Sequence, residues 1–272
     1  MIKCQDDNWF TEEYGFFGDF YYISDNSKEG PYKGQLVSRE QRTKDEVTMI
    51  CDMMGVQPGR RLFDCPCGWG RHSIELAKRG VDVTAIDLNH GYLMKLQEAL
   101  LHENEEVQKK ITIDRCDMRY LIGAESYDYG INMFSSFGFF NDDEDLRVAR
   151  NFYEMLKLGG KMMIHLDFNA ERLEMGFGSD YAAERNISHE GKNYVLKVYK
   201  EYHEDDRRLH GLWKLVAEDG ASVEKIYSFR IYSRQEMEEL LHNVGFQVVS
   251  FYSTNQMEQT FDDIDTVIVA EK

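Results

Sequence analysis

The chain has 272 residues, 42% of them hydrophobic, and a formal charge of −17 at pH 7. It is long and apolar enough to bury a full α/β core, and its acid excess, with only isolated basic pairs at Lys109-Lys110 and Arg207-Arg208, argues against a nucleic-acid partner. No apolar run reaches the roughly 18 residues of a membrane span and the cysteines are odd in number and scattered, so a cytoplasmic protein with neither a membrane partner nor a disulfide framework is expected.

Residues 1–45 carry Trp9, Phe10, Tyr14, Phe16, Phe17, Phe20, Tyr21 and Tyr22. Aromatics at that density need cover, either as a lid whose rings face a ligand or as an arm packed on the core. A helical pattern follows from Gln41 to Met54. Strand patterns then fall at Arg61 to Cys65, Val81 to Asp87, Lys110 to Arg115, Tyr127 to Phe134, Lys161 to Phe168, Gln247 to Ser253 and Thr266 to Glu271. Helical patterns separate them at Arg71 to Arg79, His90 to His102, Asp143 to Lys157 and Arg234 to Val244, with Asn141 or Asp142 as the cap of the third. This alternation predicts an α/β fold with a doubly wound, Rossmann-like sheet, its core formed by residues 46–168 and 233–272.

Residues 169–232 interrupt that series. The runs Tyr194 to Tyr202, Leu209 to Ala217 and Val223 to Ile231 alternate in polarity and are punctuated by Glu190-Gly-Lys-Asn, Glu204-Asp-Asp-Arg and Glu218-Asp-Gly-Ala. These are hairpin signals, and they predict an inserted antiparallel meander at the carboxyl edge of the sheet. It could roof a substrate pocket, pair with a second copy in a homodimer, or do both.

The run Arg61 to Gly80 reads as strand, glycine turn and helix. Gly68 and Gly70 allow close backbone approach, and the helix opening near Arg71 directs free N–H groups at the same spot. Asp64 places a carboxylate where a pyrophosphate would be repelled. Asp87 ends the next strand, 19 residues beyond Gly68, where its carboxylate can accept from both hydroxyls of a ribose. A nicotinamide fingerprint would need Gly or Ala where Ser73 stands, and no Gly-Lys-Ser/Thr follows for a P-loop. Cys65 and Cys67 form a C-x-C without a second pair of close ligands, so no metal site is expected.

Asp64, Gly68, Gly70 and Asp87 at these spacings resemble the class I S-adenosylmethionine-dependent methyltransferases, and the form Asp-Cys-Pro-Cys-Gly-Trp-Gly-Arg-His-Ser is similar to a bacterial small-molecule branch of them. Pro66 and Trp69 depart from the commoner glycine and small residue. The resemblance implies S-adenosylmethionine as cofactor and the strand order 3-2-1-4-5-7-6, with the last strand antiparallel. It also implies Cys65 and Leu88 beside the two acids, Asp117 at the adenine amine with Met118 along the ring, and Arg42 at the methionine carboxylate, unless Arg42 is a surface helix residue. Asn132 to Gly138 resembles the substrate-facing loop of amino-sugar and glycine-type N-methyltransferases, with Met133 and Ser135 on the cofactor side. Ser135 and Ser136 read equally as a helix-entry turn.

At the end of the fifth strand, alternation turns either His165 or Asp167 to the pocket rim, where His165 could take a proton from the nucleophile or serve only structure. The expected activity is methyl transfer to a small molecule, at nitrogen in preference to oxygen or carbon. The alternatives are a non-catalytic S-adenosylmethionine-binding sensor or assembly protein and an RNA methyltransferase.

Overall fold

Buried β-branched and apolar runs line up as two sheets in the computed structural model, which describes residues 2–24, 38–123, 125–166, 168–174, 181–253 and 265–272. In chain order the elements are α1 (Asp19–Ser24), α2 (Arg39–Met54), β1 (Arg61–Asp64), α3 (Arg71–Lys78), β2 (Asp82–Asp87), α4 (His90–Leu100), α5 (Glu105–Lys109), β3 (Ile111–Arg115), β4 (Tyr127–Asn132), α6 (Asp142–Met155), β5 (Leu156–His165), α7 (Ala170–Glu174), β6 (Tyr181–His189), β7 (Lys192–His203), β8 (Arg208–Ala217), β9 (Ser222–Arg230), α8 (Arg234–Val244), β10 (Val248–Ser253) and β11 (Asp265–Glu271).

The larger sheet runs β10-β11-β5-β4-β1-β2-β3. Its first five strands in sequence are parallel, while β11 is antiparallel to both β5 and β10, which is the order the resemblance implied. The order reverses between β1 and β4, and a ligand crevice belongs outside the carboxyl ends of those strands. Helix ends follow their sequence signals. Ser38 and Asn141 cap α2 and α6, and Ser233 with Glu236 forms a capping box on α8.

Three elements depart from the sequence reading. Strand β5 begins at Leu156, inside the stretch expected to be helical, because the fully buried Leu156 pairs with Tyr127 and tertiary packing overrides helix propensity. The fourth strand pattern stops at Asn132, and Phe134 turns left-handed instead. The meander has four strands, β6-β7-β8-β9, since Tyr181–His189 adds an unforeseen edge strand through a two-residue turn with positive φ at Glu190 and Gly191.

The inner face of this smaller sheet carries Ile187, Leu196, Val198, Leu209, Tyr227 and Phe229. These join one hydrophobic cluster with Trp9 and Phe16 of the arm and with Phe63 and Phe152 of the main core. Gly211 makes room for that packing, because a Cβ there would lie 2.1 Å from the Tyr227 ring. The meander is therefore a roof sharing its core with the body of the protein.

Candidate active site

The turn after β1 is held by its acids. Asp87 accepts the Gly68 N–H at 2.7 Å and the Asn89 N–H at 2.8 Å, tying the end of β2 to the glycine turn. Burial lifts its carboxyl to about 6, although the Asn89 and Gly68 amides pull the other way. Asp64 is more deeply buried, and its carboxylate accepts the Ser73 hydroxyl at 2.6 Å. Burial, only partly offset by that bond and by the Arg71 charge, raises Asp64 to about 7. Gly68 has φ +56° and open space where a Cβ would stand, whereas a Cβ on Gly70, at φ +75°, would meet the Leu96 side chain at 2.4 Å.

Beyond β4 the chain makes an uncommon turn. Phe134 and Ser135 have φ of 59° and 55°, consecutive left-handed residues with side chains. Strand β5 holds them there: the Ser135 N–H donates to the His165 carbonyl at 2.9 Å and the Phe134 N–H to His165 Nδ1 at 3.3 Å. His165 is fully buried, with its ring edge-on to Phe134. The His72 ring stacks on Phe134 at 5.8 Å, and the Arg71 guanidinium lies 4.9 Å from the Phe134 centroid.

Helix α2 supports this floor with one buried acid. Glu46 accepts from Arg71 Nη1 and from His72 Nε2, the latter at 2.9 Å, and Arg42 Nε stands 3.5 Å away. Burial works against ionising Glu46, but the Arg71 charge and the His72 bond overcome it and hold the carboxyl near 2. Burial and the same Arg71 charge keep His72 neutral.

These parts wall a single cavity of about 280 Å³. At one end stand Gly68, Asp87, Leu88, Asp117 and Met118; beside them lie Arg42, Arg71, Met133, Phe134 and Ser135; the far end is closed by Phe139, Phe168, Trp213, Tyr227 and Phe229. The arm crosses both ends. Asn89 Nδ2 donates to the Phe17 carbonyl at 2.5 Å, Glu12 accepts the Gly91 N–H at 2.8 Å, and the Ile226 N–H donates to the Tyr14 hydroxyl at 3.1 Å under the roof. Trp9, Phe10, Phe16, Phe17 and Tyr21 line the cavity and also pack into the core.

Comparison with known proteins decides the chemistry. Residues 62–160 match the family described as a methyltransferase domain. The chain is 26% identical to a glycine/sarcosine N-methyltransferase of Aphanothece halophytica over 242 residues, 88% of this chain and 86% of that protein. Its fold matches an amino pentose methyltransferase from Micromonospora echinaspora, solved with S-adenosylmethionine bound, at a TM-score of 0.68 and 16% identity, covering 94% of this chain and 97% of that one. A sugar N-methyltransferase from Streptoalloteichus matches at 0.67 and 14%, covering 93% and 92%.

The chain is an S-adenosylmethionine-dependent methyltransferase.

The residues of this methyltransferase fit that cofactor. A Cβ on Gly68 would occupy cavity space, and Asp87 has acceptor capacity left beyond its two amide bonds. Of the residues the sequence singled out, Arg42, Cys65, Gly68, Asp87, Leu88, Asp117, Met118, Met133 and Ser135 are brought together on the cavity wall. Asp117 arrives already engaged, its carboxylate paired with Arg119 at 2.7 Å.

Three expectations shift. Gly70 serves helix packing against Leu96 in place of ligand space. Asp64 bonds Ser73 and is not among the described side chains lining the cavity, and neither is His165, whose Nδ1 is taken by the loop it supports. Asp167 lies outside the described residues.

Sequence reasoning passed over Glu46, Phe134 and the side chain of Arg71. Glu46 left a signal: it sits on the helix stripe of Thr43, Val47, Ile50 and Met54, where a carboxylate needs buried partners. The methyltransferase also has no helix, among the described residues, long and apolar enough to cross a membrane.

Proposed function

We propose that this methyltransferase transfers a methyl group to an amine nitrogen of a small molecule. The observation that carries the reading is the single cavity running from Asp87 and Gly68 to an aromatic far end under the roof, of a size for a small acceptor and walled by rings whose faces suit a cationic centre. The 26% identity to a glycine/sarcosine N-methyltransferase supports nitrogen as the acceptor.

When bound, S-adenosylmethionine supplies an electrophilic methyl group on a sulfonium. The chain's part is positioning. Asp87 would hold the ribose hydroxyls, Arg42 and Arg71, both anchored by Glu46, the methionine carboxylate, and Met118 the adenine. The Met133 to Ser136 turn sets the boundary between cofactor and acceptor, and Phe139, Trp213 and Tyr227 keep water from the line of transfer. Held geometry of this kind supplies on the order of 7 to 11 kcal/mol of a barrier. The acceptor must present a lone pair, so it reacts as the free amine.

His165 cannot take the amine proton at Nδ1, because that atom accepts the Phe134 N–H. It acts as a positioning residue.

The test is transfer of labelled methyl to paired probes, an amine and its hydroxyl twin, in wild type and two variants. The amine should be methylated with a rate that climbs with pH, and the hydroxyl twin should not. His165→Asn, which keeps an acceptor near the Nδ1 position, should retain most activity, while His165→Leu should lose it on the order of 10²-fold. Equal methylation of the hydroxyl twin, or of transfer RNA, would overturn the nitrogen reading; equal loss in both His165 variants would restore the histidine as a base.

A further inference from the structure

The edge strand β6 brings an arginine to the acceptor end. Arg185 stands opposite Leu196 in the β6–β7 register and so shares its face, and Leu196 is fully buried beneath the roof. Alternation along β7 puts Val198 and Lys200 on that face too, and Arg185, Val198 and Lys200 all line the cavity. Lys200 Nζ lies 3.9 Å from the Phe168 ring centroid. The Arg185 charge is felt at the buried Tyr227 hydroxyl, which fixes it near the aromatic end.

A cation on an apolar inner face is costly unless an anion meets it. Among the described residues, the acids that share this cavity are engaged elsewhere. Glu12 takes the Gly91 N–H and Arg115, Asp87 takes the Gly68 and Asn89 amides, and Asp117 takes Arg119. The neighbouring Glu184 pairs with Lys197 at 2.7 Å. Among the described residues no carboxylate pairs with Arg185, in a chain with 49 acids to 32 Lys and Arg. With acid so abundant, an arginine left facing the cavity points to an anion supplied from outside, and its planar fork suits a carboxylate or phosphate.

We propose, resting on the acceptor-site reading above, that the methyl acceptor carries an anionic group, a carboxylate or a phosphate, and that Arg185 grips it at the roof with Lys200 alongside. The amine is thereby aimed back toward the Met133 to Ser136 turn. Arg185 is a specificity residue for the acceptor and has no part in holding the cofactor.

The experiment uses the full chain saturated with S-adenosylhomocysteine. Acetate and methylphosphonate are the probes for the two anion sources, with binding followed by saturation-transfer NMR on their methyl protons. One of the two should bind saturably, which names the source. Arg185→Gln should weaken that binding roughly 10- to 100-fold, the scale of a lost charge-assisted contact, and Arg185→Lys should recover part of it. Cofactor affinity and melting temperature should stay at wild-type values in both variants. The proposal is overturned if neither probe binds saturably, if binding survives Arg185→Gln, or if cofactor affinity falls instead.

Turnover separates this from the nitrogen reading. Glycine against glycinamide, and glucosamine 6-phosphate against glucosamine, should show the anionic member of the matching pair favoured at least tenfold in kcat/KM, with the preference lost in Arg185→Gln. Equal methylation of charged and uncharged amines would remove the anion site and leave nitrogen transfer standing. Anion binding that depends on Arg185, together with methylation at a hydroxyl, would do the reverse.

Discussion

Asp87 fixes the glycine turn through the Gly68 amide, and in the proposed reading its remaining lone pairs serve the cofactor as well. Asp87→Asn should therefore cost about 1.5 to 3 kcal/mol of S-adenosylhomocysteine affinity by calorimetry, the range for bonds to a charged group. Since burial holds this acid near 6, wild-type affinity should strengthen from pH 5.5 to 7.5 as the carboxylate ionises, and the variant should lose that dependence. The two turn glycines separate recognition from packing. Gly68→Ala should bind cofactor weakly; its Cβ enters open space, so its melting temperature should fall only by the cost of the left-handed φ of +56°, about 1 to 2 kcal/mol. Gly70→Val should instead lower the melting temperature, as overpacking against Leu96 costs about 1 to 3 kcal/mol. Trimming the obstacle with Leu96→Ala should recover part of the loss. If both variants lose cofactor affinity alike, the division is wrong.

Between elements, Arg208 ties the roof to the loop after β4. Arg208 of β8 donates to the Phe140 and Phe139 carbonyls at 2.8 and 3.0 Å and to the Ser228 hydroxyl at 2.7 Å. Arg208→Lys keeps a charge but cannot span these acceptors, so kcat should fall on the order of 10²-fold with cofactor affinity unchanged, as expected when a loop is misplaced by about 1 Å. Unchanged kcat would show that the roof does not set the loop. How much of this was legible follows from the kind of signal each element leaves. The core strands and the later hairpins announced themselves by period and by turn residues such as Glu218-Asp-Gly, and the cavity wall around Asp87 followed from spacing. Arg185 could not be foreseen, because β6 mixes Ala, Glu, Arg, Asn and Ser without a clean alternation and earns its strand only by pairing with β7. His165 could be placed on its strand but not given a role, since its partner is a backbone N–H from a turn 31 residues earlier.

Across the whole molecule, buried acids set the response to pH. Asp64 and Asp145 are held near 7 and Asp87 near 6, all raised from 3.8 chiefly by burial. The folded chain keeps protons that the unfolded chain releases, so this stabilisation is full below the unfolded value and is lost as pH climbs through 6 to 7. Glu46 runs the other way. Held near 2 from 4.5, it contributes above its unfolded value and is lost as pH falls toward 2. The cofactor-free enzyme should therefore melt higher at pH 5 than at pH 7.5, declining across that range. S-adenosylhomocysteine should add more at pH 7.5 than at pH 5. A melting temperature that rises steadily to pH 7.5 in the cofactor-free protein would contradict the burial of these three acids. One feature reaches further still. Phe134 and Ser135 stand left-handed at φ of 59° and 55°, where glycine would rest without effort, and each costs of order 1 to 3 kcal/mol in strain. The chain gives up that much stability to fix the turn after β4, the acceptor loop of the proposed reading. A sturdier protein is thus one glycine away, and it would be a slower catalyst, because robustness and turnover compete at a single bend of backbone.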